Sequence, residues 1–124
     1  MQFYDWNSME PAEVNPAYLR KVANGENVTV ARVEVTRGSI TQVHQHENEE
    51  VIVVLEGAWR FQLPGGPVTI GANQMLMIPP GVAHSSEALE DTIALDICAP
   101  GRKDWINGAD QFLHDDPGQS LWAV

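Results

Sequence analysis

The stretch Gly38-Ser-Ile-Thr-Gln-Val-His44-Gln-His46-Glu-Asn-Glu-Glu50-Val-Ile-Val-Val-Leu55-Glu-Gly57 decides the fold. From Ile40 to His46 it has period-2 character, the mark of a strand whose alternate side chains face opposite ways. Val51 to Leu55 is continuously apolar and β-branched, which predicts a strand buried on both faces. Residues two apart on a strand share a face, so His44 and His46 present two imidazoles side by side. Glu50 stands beyond a short bend, at the start of the next strand, where its carboxylate can return to the same point.

The pattern continues on both sides. Val28 to Val35 reads as a strand with Val28, Val30, Arg32 and Glu34 on one face and Thr29, Ala31, Val33 and Val35 on the other. Trp59, Phe61 and Leu63 alternate with Arg60 and Gln62, and Pro64-Gly65-Gly66-Pro67 closes that run. Further short runs follow at Val68 to Ile70, Met75 to Ile78 and Thr92 to Cys98, with Gly or Pro between them. Short strands separated by turn residues predict an all-β sandwich or barrel, the jelly-roll type included. Met1 to Val22, broken by Pro11 and Pro16, wraps the barrel or lends a strand to a partner. Lys103 to Val124 carries Trp105, Ile106, Phe112, Leu113, Leu121 and Trp122, too apolar for a free tail. It is expected to pack over the barrel or on a second subunit, with a short helix near Ala109 to His114.

A fourth metal-ligating residue lies downstream. Pro79-Pro80-Gly81 forces a turn, and His84 follows three residues after the glycine. Three neutral imidazoles and one carboxylate suit a mid-row divalent ion such as Mn, Fe, Co, Ni or Zn. Taken singly, His44 and His46 could face solvent and Glu50 could belong to a solvated acidic turn. Taken together, they form a pattern that chance does not readily reproduce. His114 lies outside that pattern and reads as a surface histidine.

These residues resemble the cupin superfamily. Gly38, His44, His46, Glu50 and Gly57 fit its first motif without a gap, and Pro79, Gly81 and His84 match the second. Asn73 stands where the second motif opens on glycine, and Ala88 replaces its closing asparagine. The resemblance covers roughly residues 28 to 102. It implies a double-stranded β-helix, or jelly-roll, barrel and one domain spanning 1–124. It also implies one divalent metal ion held by His44, His46, Glu50 and His84. The six-residue gap to Gly57 selects Glu50 over Glu49. An octahedral ion would keep two positions for water or substrate.

The reaction must be read from other residues, because this fold supports many chemistries. On Thr92 to Cys98, Ile93, Leu95 and Ile97 are bulky, whereas Ala94, Asp96 and Cys98 are small or acidic on the opposite face. Asp96 is there either a cavity acid/base or an outward surface carboxylate. Met75, Met77, Trp59 and Phe61 are core side chains or cavity lining. The run Asp96-Ile-Cys-Ala-Pro100-Gly-Arg102-Lys-Asp-Trp105 resembles the ending of small cupins that open unsaturated uronic-acid rings. That resemblance implies a catalytic Asp96 and an Arg102 that pairs with the sugar carboxylate, with Cys98 where the group has an aromatic residue. Arg102 could equally be a surface charge beside Asp104. Three readings follow: a non-oxidative lyase or isomerase of a sugar-acid or hydroxy-carbonyl substrate, an Fe(II)-dependent dioxygenase, and a non-catalytic sugar- or metal-binding module.

Composition narrows the partners. The 124 residues are 44% hydrophobic and 19% charged, enough to build one core, and carry a formal net charge of −10. Such a surface repels nucleic-acid phosphates and anionic membranes, so a small-molecule substrate is expected instead. No signal peptide and no membrane-spanning run are visible. The single Cys98 forms no internal disulfide, which predicts a reducing, cytoplasmic setting. Resemblance to other small cupins implies a homodimer, with the apolar chain ends as its expected contact.

Overall fold

The computed structural model describes residues 1–102. A 3-10 turn at Trp6–Ser8 precedes ten strands: β1 Ala12–Asn15, β2 Tyr18–Asn24, β3 Thr29–Val35, β4 Ile40–His44 and β5 Glu49–Glu56, then β6 Ala58–Leu63, β7 Gly66–Gly71, β8 Met75–Ile78, β9 His84–Ala88 and β10 Thr92–Ala99. They form two antiparallel sheets, ordered β1-β2-β3-β10-β5-β8 and β4-β9-β6-β7. Consecutive strands repeatedly change sheets, and β10 returns between β3 and β5. This is the jelly-roll, all-β architecture expected from the sequence.

Alternation explains the core. Thr29, Ala31, Val33 and Val35 of β3 point inward, as do Thr92, Ala94, Asp96 and Cys98 of β10. Ile52 and Val54 of β5 meet Trp59 and Phe61 of β6, whose rings lie 4.9 Å apart. Each fully buried aliphatic or aromatic side chain stabilises the barrel by roughly 1.5–3 kcal/mol. Toward one end of the barrel the inward positions turn polar: Glu50 lies opposite Cys98, and His44 lies opposite His84. The fold therefore spends that part of its interior on ionisable groups.

Several expectations change. Val51 to Leu55 is not buried on both faces: Ile52 and Val54 are internal, Val51 and Val53 are half-buried and Leu55 is exposed. A barrel strand has only one core side, and among the described residues no helix layer covers the other. Met75 and Met77 neither line the cavity nor fill the core, because the register of β8 on β5 turns Leu76 and Ile78 inward instead. Residues 12–24 supply two strands, β1 and β2, to the chain's own large sheet. Strand β9, with the sequence His-Ser-Ser-Glu-Ala, was hidden by its polarity. The turn after β6 uses Pro64 and Gly65, so Gly66 and Pro67 already belong to β7. The expected helix near residues 109–114, the packing of Lys103 to Val124 and the placement of His114 all lie outside the described residues.

Two turn positions show why the sequence departs from, or keeps to, glycine. Asn73, in the glycine position of the second motif, has φ of 67°. Asparagine is among the side chains that tolerate this left-handed region, so the replacement keeps the turn. Gly57 has φ of 97°, and a Cβ there would lie 2.5 Å from Thr92 Oγ1 and still closer to the Asp91 carbonyl oxygen. Thr92 cannot retreat easily, since its hydroxyl bridges to Ala58 and Glu90. Gly57→Ala is therefore expected to destabilise the chain by about 2–5 kcal/mol. Urea unfolding would show this as a lowered midpoint, and a midpoint within error of the parent would refute the argument.

Candidate metal centre

Four side chains converge from two sheets and one loop. His44 closes β4 and His84 opens β9, directly paired, with ring centroids 4.4 Å apart. His46 lies beyond the end of β4, in the loop, so it does not share a regular strand face with His44. The Gly81 N–H donates to the His46 carbonyl at 2.8 Å, tying this loop to the Pro79-Pro80-Gly81 turn. Glu50 reaches in from β5 of the opposite sheet. Its Oε1 is 3.1 Å from both His46 Nε2 and His84 Nε2. One ring nitrogen from each of the three histidines lies within 4.8 Å of the other two. Glu49, the competing acid, is exposed on the outer face of β5.

The hydrogen bonds behind the rings fix their chemistry. His44 Nδ1 contacts Gln42 O at 2.8 Å, His46 Nδ1 contacts Asn48 O at 3.0 Å, and His84 Nδ1 contacts Val82 O at 2.9 Å. A carbonyl oxygen can only accept, so each Nδ1 carries the proton and donates it. For a neutral ring, that leaves Nε2 with an inward lone pair. Two such nitrogens then face one carboxylate oxygen at 3.1 Å, an arrangement of acceptors that repels itself unless a cation stands among them. Backbone carbonyls that orient ligating imidazoles in this way are the usual support of a metal site. The donor set fits a divalent ion.

Electrostatics point the same way. Burial, and then the neighbouring His84, lower the His44 pKa to about 4, so its ring is neutral and ready to donate a lone pair. Burial opposes charge on Glu50, but the hydrogen bond from Asp96 holds it well below the usual carboxylate range. Asp96 is driven well above that range by burial and then by the Glu50 charge, against the pull of Arg102 and Arg20. Of this pair, the proton belongs on Asp96, which donates to Glu50.

Asp96 and Arg102 both face the interior, 4% and 3% exposed. They line one small cavity with Tyr18, Thr41, His44, Glu50, Ile52, Trp59, Phe61, His84 and Ser86. About 20 Å³ is free in it, the space of one water molecule or ion. A wider recess of about 560 Å³ lies next to it, lined by Asn24, Glu26, Asn48, Pro100 and Gly101 among others, and shares only His46 with the four ligands. Cys98 is fully buried with Sγ 3.9 Å from Asp96 Oδ1. Burial pushes its thiol pKa far up, so it remains neutral and unreactive.

Sequence reasoning missed three contributors. Tyr18 and Arg20 are buried on the inner face of β2, and burial raises the Tyr18 pKa. The alternation Tyr18, Arg20, Val22 was the available signal, masked by the prolines before it. Asn48 is buried inside an otherwise acidic loop, where its Nδ2 donates to the carbonyls of Pro100 and Gly101. Those partners are more than fifty residues away, so no local pattern could reveal the link.

Comparison with known proteins agrees with this geometry. The cupin domain family matches residues 31–98. No curated protein matches the chain in sequence. KdgF from Halomonas sp. is 26% identical, with a TM-score of 0.79 over 84% of this chain and 99% of that one. An RmlC-like cupin from Shewanella frigidimarina is 21% identical, with a TM-score of 0.79 over 85% of this chain and 96% of that one. Oxalate decarboxylase from Bacillus subtilis, a protein with Mn(II) centres, is 18% identical, with a TM-score of 0.70 over 79% of this chain but only 29% of its own length. Among the described residues no helix is long and apolar enough to cross a membrane. With the family match spanning more than half of the sequence, and three histidines and a glutamate gathered inside a jelly-roll barrel, the chain belongs to the cupin family.

Proposed function

We propose that this cupin is a metal-dependent, non-oxidative lyase or isomerase acting on a sugar-acid or hydroxy-carbonyl substrate. The observation that supports this most is Asp96: a protonated, buried carboxyl in the same cavity as three of the four candidate ligands, His44, Glu50 and His84, and hydrogen-bonded to Glu50. His44, His46, His84 and Glu50 would hold the ion, which supplies Lewis-acid polarisation of substrate oxygens when bound. Asp96 carries the mobile proton. In ring opening or keto–enol change, one proton leaves an oxygen and one arrives at carbon, with no net electron transfer. Asp96 is suited to deliver the second and to recover the first, because burial and the Glu50 charge favour its protonated form while Arg102 and Arg20 favour its ionised form.

Arg102 gives direction. Its backbone N–H donates to Thr29 Oγ1 at 2.9 Å, which anchors the residue beside the cavity. A guanidinium there matches a carboxylate with two parallel N–H donors, as a lysine could not. Among cupins, the ring-opening group that the Asp96 to Arg102 segment resembles acts on substrates with such a carboxylate. Trp59 and Phe61 supply apolar walls.

The test is turnover of an unsaturated uronate by the metal-loaded chain, followed by loss of its conjugated ultraviolet band. The expected decay is equally fast with and without oxygen. An absence of decay together with Fe(II)-dependent oxygen uptake on a diketone, thiol or catechol would replace this reading with a dioxygenase.

A further inference from the structure

His46 is the candidate ligand that strand pairing does not hold. His44 pairs with His84 and Glu50 with Cys98, whereas His46 lies in the loop between β4 and β5. Hydrogen bonds fix it instead: its carbonyl accepts the Gly81 N–H, and its Nδ1 donates to Asn48 O at 3.0 Å. Asn48 is itself buried, between the exposed Glu47 and Glu49.

The segment that leads into Arg102 is held in a similar way. The β5–β10 ladder ends at Glu49 and Ala99, and Pro100 has no N–H with which to continue it. From there the Asn48 side chain takes over, its amide donating to the Pro100 and Gly101 carbonyls. An amide nitrogen carries two protons, one for each oxygen. On the other side the β3–β10 ladder ends at Thr29 and Cys98. Thr29 Oγ1 then accepts the Arg102 N–H while donating to Asn24 Oδ1 at 2.8 Å. Packing leaves little slack, since a Cβ on Gly101 would lie 2.9 Å from Thr29 Oγ1.

We infer that Asn48 is a positioning residue that couples an ion bound at His46 to the placement of Arg102. Its carbonyl orients the imidazole, and its side chain holds the backbone that carries the guanidinium. Fixing the His46 ring on an ion therefore also damps the motion of residues 100–102. By linkage, whatever fixes those residues favours the ion equally. This coupling goes beyond the proposed reaction: it needs a metal at His46 but no particular substrate.

Amide hydrogen exchange, followed by NMR on the full chain with and without one equivalent of Zn(II), tests the coupling. In the parent, zinc is expected to slow exchange of the Arg102 N–H several-fold more than that of the Gly71 N–H, which donates to Gln74 Oε1 at the end of β7. Asn48→Leu keeps the branched outline of the side chain and removes its donors. It is expected to bind zinc 10- to 100-fold more weakly, the usual cost of losing support behind a ligand, and to show equal zinc effects at Arg102 and Gly71. Equal effects in the parent would overturn the coupling, as would a variant that keeps either the parent's zinc affinity or its extra Arg102 protection. If the variant does not fold, the parent measurement decides alone. Turnover of an unsaturated uronate is read separately, so an inactive chain that still shows the zinc effect would lose the proposed reaction and keep the coupling.

Discussion

Asp96→Asn is expected to lower kcat on an unsaturated uronate by about 100- to 10,000-fold, the usual contribution of a positioned acid/base, while metal content stays unchanged. Asparagine keeps the size of the side chain and can still donate an N–H to Glu50, so the cavity should hold its shape. It cannot release and recover a proton. The loss should fall on kcat, because Asp96 is assigned to proton movement rather than to substrate anchoring. Arg102 has the anchoring role, and its replacement should raise KM instead. Decay of the conjugated ultraviolet band under saturating substrate reads the first effect directly. Full activity in Asp96→Asn would remove this residue from the mechanism and leave the lyase or isomerase reading without its main support.

His84→Ala carries the other large expected effect, on stability rather than rate. In the parent chain, an ion present at 100- to 1,000-fold above its dissociation constant should stabilise the fold by about 2.7–4.1 kcal/mol. For a domain of this size that is about 10 °C or more in Tm. His84 is 3% exposed and sits opposite His44, so removing its ring deletes one donor and leaves the Glu50 charge with one fewer partner. The variant should melt below the parent even without metal and gain little when metal is added. A metal-induced rise in Tm as large as the parent's would mean that His84 is no ligand.

The ligands were legible because they are encoded locally. Glu50 is set by its distance from Gly57, and His84 follows a proline-glycine turn whose geometry is dictated by residue type. The inward face of β10 was equally plain, since Ala94, Asp96 and Cys98 alternate with Ile93, Leu95 and Ile97. What local pattern could not supply was the side from which each element meets its neighbours. The apolar run Val51 to Leu55 looks doubly buried until β5 is placed in a barrel with one core side. Met75 and Met77 look like core until their register against Val53 and Val51 turns them outward. Strand β9 carries two serines and a glutamate, yet pairs with both β4 and β6. Tyr18, Arg20 and Asn48 reach the site through contacts far along the chain, where periodicity has no reach.

The metal centre and the reaction rest on different residues. Three imidazoles whose Nδ1 protons are all taken by backbone carbonyls leave little for their inward faces to do except bind a cation. The choice of reaction depends instead on Asp96 and Arg102, buried beside that centre but able to serve more than one chemistry.

Elemental analysis of the purified chain tests the metal centre most directly. One divalent ion per chain is expected, falling sharply in His44→Ala, His46→Ala, Glu50→Gln and His84→Ala and unchanged in His114→Ala. Equal metal content in the parent and all five variants would contradict the assignment.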